Sequence, residues 1–332
     1  SAFTYFNGFK VNSGEYKLMG LAPYGEPKYK QIILDNLIDV KSDGTFNLNM
    51  DYFEYETSFK MTGIRFSELF GGPRRLPESD LTQREMDIAA SIQLVTEEIV
   101  LRLGKTIKKE TGMNQLCMAG GVALNCVANG KLLRNRTYDQ IWIQPASGDA
   151  GGALGAALTL WHEILGEKRI PKKKDSMNGS YLGPEYSFLE IENFLRTNKY
   201  QYKLYEEDEL TELVAQIIDK QKIIGWFNGR MEFGPRALGN RSILGDPRSI
   251  DTQRLMNLKI KYRESFRPFA PVVKAEKAKE WFELDTDSPY MLLVAKIKKE
   301  KQIPMNKREK SMFGIENPYL WNANDLERVL EF

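Results

Sequence analysis

An arginine-rich and glycine-rich stretch, residues 225–271, is the feature that most constrains what this chain can fold into. It contains seven arginines, few carboxylates and several interrupting prolines, whereas a solvated helix face usually alternates lysine with glutamate. An arginine side chain presents a planar fork that binds phosphate or carboxylate oxygens bidentately. Neighbouring glycines let backbone N–H groups approach a ligand closely. The stretch predicts a pocket for a small polyanion, and an ordinary basic surface of loop and helix is the alternative.

Length and charge limit the class of protein. A chain of 332 residues is long enough for two domains. The net charge of +2 argues against general nucleic-acid binding, which normally shows as a large basic excess. No apolar run reaches the roughly 18 residues of a membrane span. Only two cysteines occur, Cys117 and Cys126, and both fall in segments that we expect to form core, so we expect a reduced, cytoplasmic protein without membrane or nucleic-acid partners.

The first half combines one long helix with a loop near the start of the chain. Thr82 to Lys109 has helical spacing of its apolar residues and opens with a Thr82–Glu85 capping box. Glycine and proline interrupt residues 12–25, which therefore predict a loop. This loop contains Glu15 and Lys17.

Two glycine-rich turns follow the long helix. A strand over Gln115 to Met118 enters the first turn, and a strand over Ile141 to Gln144 enters the second. A small-residue helix follows the first turn, and a helix from about Ala153 to Leu165 follows the second. Such turns leave free backbone N–H groups at a helix N-terminus, which is a natural anion site. Asp149, in the second turn, is either a helix cap or a ligand of a metal ion.

The second half alternates helices and strands, as in an α/β domain. Polar and basic residues 166–184 predict a linker. A Ser187–Glu190 capping box opens a short helix, and Glu207 to Gln221 predicts an amphipathic helix. Tyr200 to Tyr205 and Lys222 to Phe227 predict strands, the second of which leads into the arginine-rich stretch.

Three ordered blocks of sequence together resemble a known family. They are GFKVNSGEYKLMGLAPYGEP (8–27), MAGGVALNCVANGKL with PASGDAGGALGAAL (118–132 and 145–158), and FGPRALGNRSILGDPR with KYRESFRPFAP (233–248 and 261–271). The order and content of these blocks are similar to the O-carbamoyltransferase family, which includes nodulation-factor and antibiotic carbamoyltransferases. The resemblance implies an α/β protein with an actin-like ATPase-type domain at 1–165, a linker at 166–184 and a YrdC-like domain at 185–332. It also implies that an N-terminal segment of the family precedes residue 1.

The resemblance further implies roles for particular residues. In the YrdC-like domain the implied catalytic residues are Lys261, Arg263, Arg267 and Arg236, and the implied ligand-binding residues are Arg241, Ser242 and Lys259. Of these, Arg236, Arg241 and Ser242 would lie in a loop that precedes the others. In the actin-like domain the implied nucleotide-binding residues are Gly120, Gly121, Asn125, Ser147, Gly148, Gly151 and Gly152, with Glu15 and Lys17 lining the active site. Asp149 would be a metal ligand beside two family histidines that this sequence lacks, since its one histidine, His162, lies outside such a motif.

The implied activity is a two-step O-carbamoyl transfer. Carbamoyl phosphate and ATP would form a carbamoyl-adenylate, and a hydroxyl of a sugar or other small-molecule acceptor would then receive the carbamoyl group. The implied cofactors are ATP with Mg²⁺, and Fe²⁺ or a similar divalent ion beside Asp149. The sequence leaves the oligomeric state open, and a homodimer is one of the states it allows. Two alternatives stay open at this point: an enzyme related to threonylcarbamoyl-adenylate and tRNA modification, and an inactive nucleotide-binding scaffold.

Overall fold

A computed structural model describes residues 1–171, 175–249, 251–302 and 304. In this part of the chain, helices and short strands alternate, so the protein is a mixed α/β protein. The helices are α1 Ala2–Phe6, α2 Glu15–Leu21, α3 Lys30–Asn36, α4 Ile64–Leu69, α5 Gln83–Thr111, α6 Cys126–Arg134, α7 Asp149–Thr159, α8 Phe188–Thr197, α9 Glu207–Asp219, α10 Thr252–Leu255 and α11 Ala275–Trp281. The strands are β1 Ile38–Val40, β2 Phe46–Leu48, β3 Gln115–Met118, β4 Gln140–Ile143, β5 Ile224–Phe227 and β6 Arg241–Leu244.

The strands form three two-stranded ladders. β1 pairs antiparallel with β2, and β5 pairs antiparallel with β6 so that Phe227 lies opposite Arg241. β3 pairs parallel with β4, with Met118 opposite Ile143. A parallel pair needs a crossover connection, and α6 provides it. The two glycine-rich turns consequently lie side by side at the carboxyl ends of β3 and β4.

The long helix α5 forms as its sequence predicts. Thr82 and Glu85 form the capping box, and Gly112 ends the helix in the left-handed conformation at φ 67°. Met86, Ile88 and Val95 are buried on one face of the helix. They pack in a core with phenylalanines from α1 and α4, where Phe66 and Phe70 have ring centroids 4.9 Å apart. Aromatic burial of this extent anchors the first half of the chain.

A second core joins segments that are far apart in sequence. Ala123, Ile143, Met177, Tyr290 and Leu292 are buried together in it. Met177 belongs to the stretch predicted as a linker, so part of that stretch packs against the β3–β4 ladder. The buried amide of Asn129 donates hydrogen bonds to the carbonyls of Ala123 (2.8 Å) and Leu292 (3.1 Å). Residues 290–294 are thereby attached to α6.

Two sequence predictions of local structure are wrong in the first 125 residues. Residues 12–25 are not a loop: α2 occupies Glu15–Leu21 because its apolar residues Leu18 and Leu21 are buried against the first core. The gain from burying these side chains outweighs the helix-weakening effect of Gly20. Cys117 is exposed rather than in the core, because successive residues of β3 point to opposite faces.

Three further predictions from the second glycine-rich turn onward need correction. The helix after this turn begins at Asp149, not Ala153, since Gly148 is its N-cap. Tyr200–Tyr205 is not a strand, because none of the described strands pairs with it despite its alternating pattern. Arg241 and Ser242, predicted in a loop, lie in β6. The predicted helices that open at Ser187 and Glu207 and the predicted strand ending at Phe227 are confirmed.

Within the described ranges, no helix is both long and apolar enough to cross a membrane. The predicted second domain extends to residue 332, and its part from residue 305 onward lies outside the described residues.

The tight turn at the start of α7 generates a stability prediction. A Cβ on Gly151 would lie 2.1 Å from the carbonyl oxygen of Ala146, whereas one on Gly152 would meet no atom within 4 Å. We expect Gly151→Ala to lower the free energy of unfolding by about 2–3 kcal/mol because the backbone must shift. The neighbouring Gly152→Ala should raise it by ~0.5–1 kcal/mol, since alanine favours the helix. Urea denaturation of the two variants measures both changes, and equal effects would contradict this account.

Candidate functional site

Helix α2 and the loop 262–268 of the arginine-rich stretch meet in a half-buried cluster of charges, which we call the basic cluster. It consists of Lys17, Arg263, Glu264 and Arg267. Lys17 Nζ lies 2.6 Å from Glu264 Oε1, and these two side chains are 24 % and 20 % exposed. Arg267 Nη1 lies 3.6 Å from Glu264 Oε2. Residues 247 positions apart in sequence therefore share one site.

Aromatic rings frame the basic cluster. The Arg267 guanidinium lies 4.7 Å from the centroid of the Tyr16 ring, and Lys17 Nζ lies 5.8 Å from that of Phe9. Phe266 packs against Phe9 and Tyr24, and the Tyr24 hydroxyl donates a hydrogen bond to the Phe266 carbonyl at 3.2 Å. Cation–π contacts hold the charged groups over apolar faces and exclude water from one side of them. The loop is thus fixed against α2.

Asn257, which sequence reasoning missed, is hydrogen-bonded to the backbone of the loop 262–268. Its buried side chain donates to the carbonyls of Ser265 (3.2 Å) and Arg267 (2.7 Å). Its Oδ1 accepts a hydrogen bond from Arg263 Nε at 2.6 Å. The Arg263 guanidinium also lies 4.7 Å from the centroid of the Phe269 ring. One neutral amide therefore orients a cationic side chain and closes the turn that carries it.

The protonation states of the basic cluster leave it positively charged. Burial raises the pKa of Glu264, but the hydrogen bond from Lys17 and the charges of Lys17 and Arg267 outweigh burial, so the pKa ends below its usual value. Burial, and then repulsion from Arg267, lowers the pKa of Arg263. An arginine stays protonated near neutral pH even so. Lys17 and Arg267 therefore pair with one carboxylate, and Arg263 lies close enough to Arg267 and Glu264 to interact with them electrostatically. A half-buried excess of positive charge favours binding of an anion.

Arg236 lies at a second place, beside the glycine-rich turns. Its Nη2 donates to the carbonyl of Leu124 at 3.1 Å. The two turns are linked by a hydrogen bond from Gly120 N to Ser147 O at 2.8 Å. Asn125 caps α6 by accepting from Ala128 N, and it exchanges amide hydrogen bonds with Gln93 of α5. The arginine-rich stretch therefore contacts the first half here as well.

Several glycines of the two turns have open space beside the backbone, where a ligand could approach it. Gly120 has φ 96°, a conformation that favours glycine, and Gly148 is the N-cap of α7. A Cβ built on Gly121 or Gly152 meets no atom within 4 Å, so these positions face open space. Ser147 is buried beneath them. Such a surface gives a nucleotide phosphate access to backbone N–H groups, so a role for Gly120, Gly121, Ser147, Gly148, Gly151 and Gly152 remains a prediction.

The metal ligand expected at Asp149 has no partners in the described part of the chain. Asp149 is the exposed first residue of α7, and the N-cap position of this helix is taken by Gly148. Among the described residues no group of three or more His, Cys, Asp or Glu side chains is placed to hold a metal ion. His162 lies in the π-helical turn after α7, with Nδ1 2.7 Å from the Glu167 carbonyl oxygen. The described residues alone therefore do not form a metal site, and the role of Asp149 as a metal ligand stays a prediction.

Arg241 and Ser242 serve the β5–β6 hairpin. The Arg241 guanidinium donates to the carbonyls of Asn228 and Gly229 and lies 3.4 Å from the centroid of the Phe227 ring. Ser242 Oγ accepts a hydrogen bond from Gly239 N at 3.0 Å. Both side chains thus shape the connection that carries Arg236.

Glu232 organises the same connection and was also missed from sequence. Its buried Oε1 accepts hydrogen bonds from the backbone N–H groups of Leu238 (2.8 Å), Asn240 (2.9 Å) and Arg241 (3.2 Å). Burial raises its pKa, but these hydrogen bonds outweigh burial and bring the pKa below the usual value.

The remaining predicted residues lie in the two segments that supply the basic cluster, or directly before them. Lys259 and Lys261 are exposed at the end of the helical segment that precedes the loop 262–268. Glu15 lies on α2, where its Oε1 accepts from Ser1 Oγ (2.9 Å) and Asn12 N (3.1 Å). Burial raises the pKa of Glu15, but the hydrogen bonds from Asn12 and Ser1 outweigh burial, so the pKa ends below its usual value.

These contacts define an α/β protein with a half-buried basic cluster where α2 meets the loop 262–268 and, at a second place, two paired glycine-rich turns. Comparison with known proteins gives the family. Residues 1–158 match the carbamoyltransferase N-terminus model, and residues 215–311 match the carbamoyltransferase C-terminus model. The chain belongs to the carbamoyltransferase family.

Several curated relatives are similar along most of this chain. The uncharacterized protein sll1178 of Synechocystis is 62% identical over 318 residues, which is 95% of this chain and 52% of that protein. Nodulation protein NolO of Bradyrhizobium diazoefficiens is 37% identical over 292 residues, 86% of this chain and 50% of that protein. The 3'-hydroxymethylcephem-O-carbamoyltransferase of Streptomyces clavuligerus is 27% identical over 252 residues, 74% of this chain and 45% of that protein. The chain spans about half the length of these relatives.

The hydrogen bonds to Glu232 generate a pH prediction. Its folded-state pKa lies below the reference value of 4.5, so its contribution to stability is fully present above pH 4.5. That contribution is lost as pH falls through the folded pKa. We expect Glu232→Gln to lower the free energy of unfolding by about 1–2 kcal/mol at pH 7 and by less below pH 4.5. Urea denaturation across pH 3.5–7 (about seven points) measures the difference.

The exposed Glu110 at the end of α5 is the matched control. Glu110→Gln should leave the free energy of unfolding nearly unchanged across the same pH range. A Glu232→Gln difference that stays constant with pH would contradict the role of the Glu232 charge.

Proposed function

We propose that this chain carries the carbamoyl-activating and carbamoyl-transferring residues of an O-carbamoyltransferase. The observation that supports this most directly is the basic cluster. Lys17 comes from the first of the three sequence blocks and Arg267 comes from the last, yet both pair with the Glu264 carboxylate, and Arg263 lies close to Arg267. A half-buried group with net positive charge suits a phosphorylated substrate such as carbamoyl phosphate.

In the proposed activation step, the basic cluster binds the phosphate groups of carbamoyl phosphate and ATP. Water releases inorganic phosphate from carbamoyl phosphate and leaves carbamate. A carbamate oxygen then attacks the α-phosphorus of ATP, the bond to the β-phosphate oxygen breaks, and carbamoyl-AMP and pyrophosphate form. Arg263 and Arg267 would stabilise the negative charge that develops on the phosphoryl oxygens. Asn257 fixes the Arg263 guanidinium before the ligand arrives.

In the proposed transfer step, the glycine-rich turns hold the AMP portion of the intermediate. The acceptor hydroxyl attacks the carbamoyl carbon, AMP leaves with the bonding electrons, and the hydroxyl proton passes to solvent or a base. Arg236 contacts the Leu124 carbonyl at the first turn, which places a cation beside this site. A sugar or another small hydroxyl compound would be the acceptor. Mg²⁺ would accompany ATP, and no step is assigned to a metal at Asp149.

Two alternatives differ from this proposal in what the chain would do. A threonylcarbamoyl-adenylate enzyme of tRNA modification would need a nucleic-acid surface, which the net charge of +2 does not favour. An inactive scaffold would bind ATP and carbamoyl phosphate without forming product. Measurement of carbamoyl-AMP and pyrophosphate separates that scaffold from an enzyme.

Formation of carbamoyl-AMP tests the proposed activation step. The full chain is incubated with carbamoyl phosphate, Mg²⁺ and labelled ATP, and carbamoyl-AMP and pyrophosphate are measured. We expect product from the wild type, and a loss of about 100-fold or more in rate for Arg263→Ala and for Arg267→Ala, because each removes a group that stabilises transferred charge.

Arg196→Ala is the control, since Arg196 lies exposed on α8 with partners Glu192 and Tyr202. It should keep the wild-type rate. Ligand binding by calorimetry without product would favour the inactive scaffold. Binding of neither ligand would refute the proposed function of this chain.

A further inference from the structure

The carboxylate of Glu264 lies where an anionic ligand of the basic cluster would bind. We propose that Glu264 is a resident counter-ion which an incoming phosphate group displaces from Lys17. This inference rests on the proposed function, because that function supplies the phosphate ligand. It goes beyond it by assigning a role to Glu264 and a consequence for α2.

The first argument is the geometry of Glu264. Its Oε1 accepts from Lys17 Nζ at 2.6 Å, a short charge-assisted hydrogen bond. Its Oε2 is buried, accepts no hydrogen bond from the described residues and lies 3.6 Å from Arg267 Nη1. A buried carboxylate oxygen without a donor is costly. The carboxylate therefore neutralises the cluster incompletely, and its replacement by an anion with more acceptor oxygens is favourable.

The second argument is the surplus of positive charge around this carboxylate. Burial, and then repulsion from Arg267, lowers the pKa of Arg263, so the two guanidinium groups lie close enough to repel each other. Arg75, a further buried arginine, stacks on the Phe9 ring from 5.4 Å, and Lys17 lies 5.8 Å from the same ring. Arg75 has other carboxylates near it, but Lys17 and Arg267 form ion pairs only with Glu264 among the described residues. A phosphate dianion brings twice the charge of this one carboxylate.

The third argument is the position of Lys17. It is on α2, in the first half of the chain, while Glu264 is on a loop of the second half. The Lys17–Glu264 pair is thus an ionic contact between the halves, and exchanging Glu264 for a ligand oxygen transfers Lys17 from a protein partner to the ligand. Ligand binding at the loop 262–268 would consequently change the ionic partner of Lys17 on α2.

The test measures binding of inorganic phosphate and of carbamoyl phosphate to the full chain by calorimetry. Glu264→Gln keeps the size of the side chain and removes the competing charge. We expect this variant to bind phosphate about five- to tenfold more tightly than the wild type. Glu98→Gln is a matched control, because Glu98 pairs with Lys30 and Arg102 and its side chain is 28 % exposed. This control should bind like the wild type.

A second variant guards against failure of the first to fold. Glu264→Asp retains the charge but shortens the side chain, which weakens its contact with Lys17, so it should also bind phosphate more tightly than the wild type. Unchanged or weaker binding by the Glu264 variants, with clear binding by the wild type, overturns the counter-ion role and leaves the proposed function intact. Binding by neither the wild type nor the variants overturns both.

Discussion

The packing of Phe266 between Phe9 and Tyr24 is the contact on which the arrangement of the basic cluster depends. Phe266 comes from the arginine-rich stretch, and its ring lies against the aromatic core of the first half. Burying an aromatic ring contributes more free energy than an exposed ion pair does. The apolar contact therefore sets the position of the loop, and the ions on either side of Phe266 take their geometry from it. In this site, hydrophobic burial places the charges.

The sequence predicted correctly those elements that are stabilised by contacts between residues close together in the chain. The capping boxes at Thr82 and Ser187 join residues three positions apart, and both are present in the structure. Helix α2 was missed because its stability comes from burial of Leu18 and Leu21, which a sequence read without its tertiary partners does not show. Residues 200–205 alternate like a strand, yet alternation needs a neighbouring strand before it becomes a sheet.

The candidate site was predictable in residue type and only partly in arrangement. Arginine and glycine content indicated an anion pocket, and the structure brings Arg267 and Lys17 to the same carboxylate, that of Glu264. Which arginine contacts which part of the protein was not predictable. Arg241 bonds to carbonyls of its own hairpin, and Arg236 contacts the segment after the first glycine-rich turn. Glu232 and Asn257 organise backbone N–H and carbonyl groups whose positions exist only after folding. A useful signal was the rarity of carboxylates in the arginine-rich stretch, which holds only Glu232, Asp246, Asp251 and Glu264.

The amide of Asn257 has a thermodynamic consequence for recognition. It is fully buried and fixes the Arg263 side chain through Nε, which leaves the two terminal nitrogens of the guanidinium for other partners. An arginine held in this way has already lost much of its rotational freedom during folding, so a ligand does not have to restrict it again. Because the amide carries no charge, this preorganisation does not vary with pH or ionic strength.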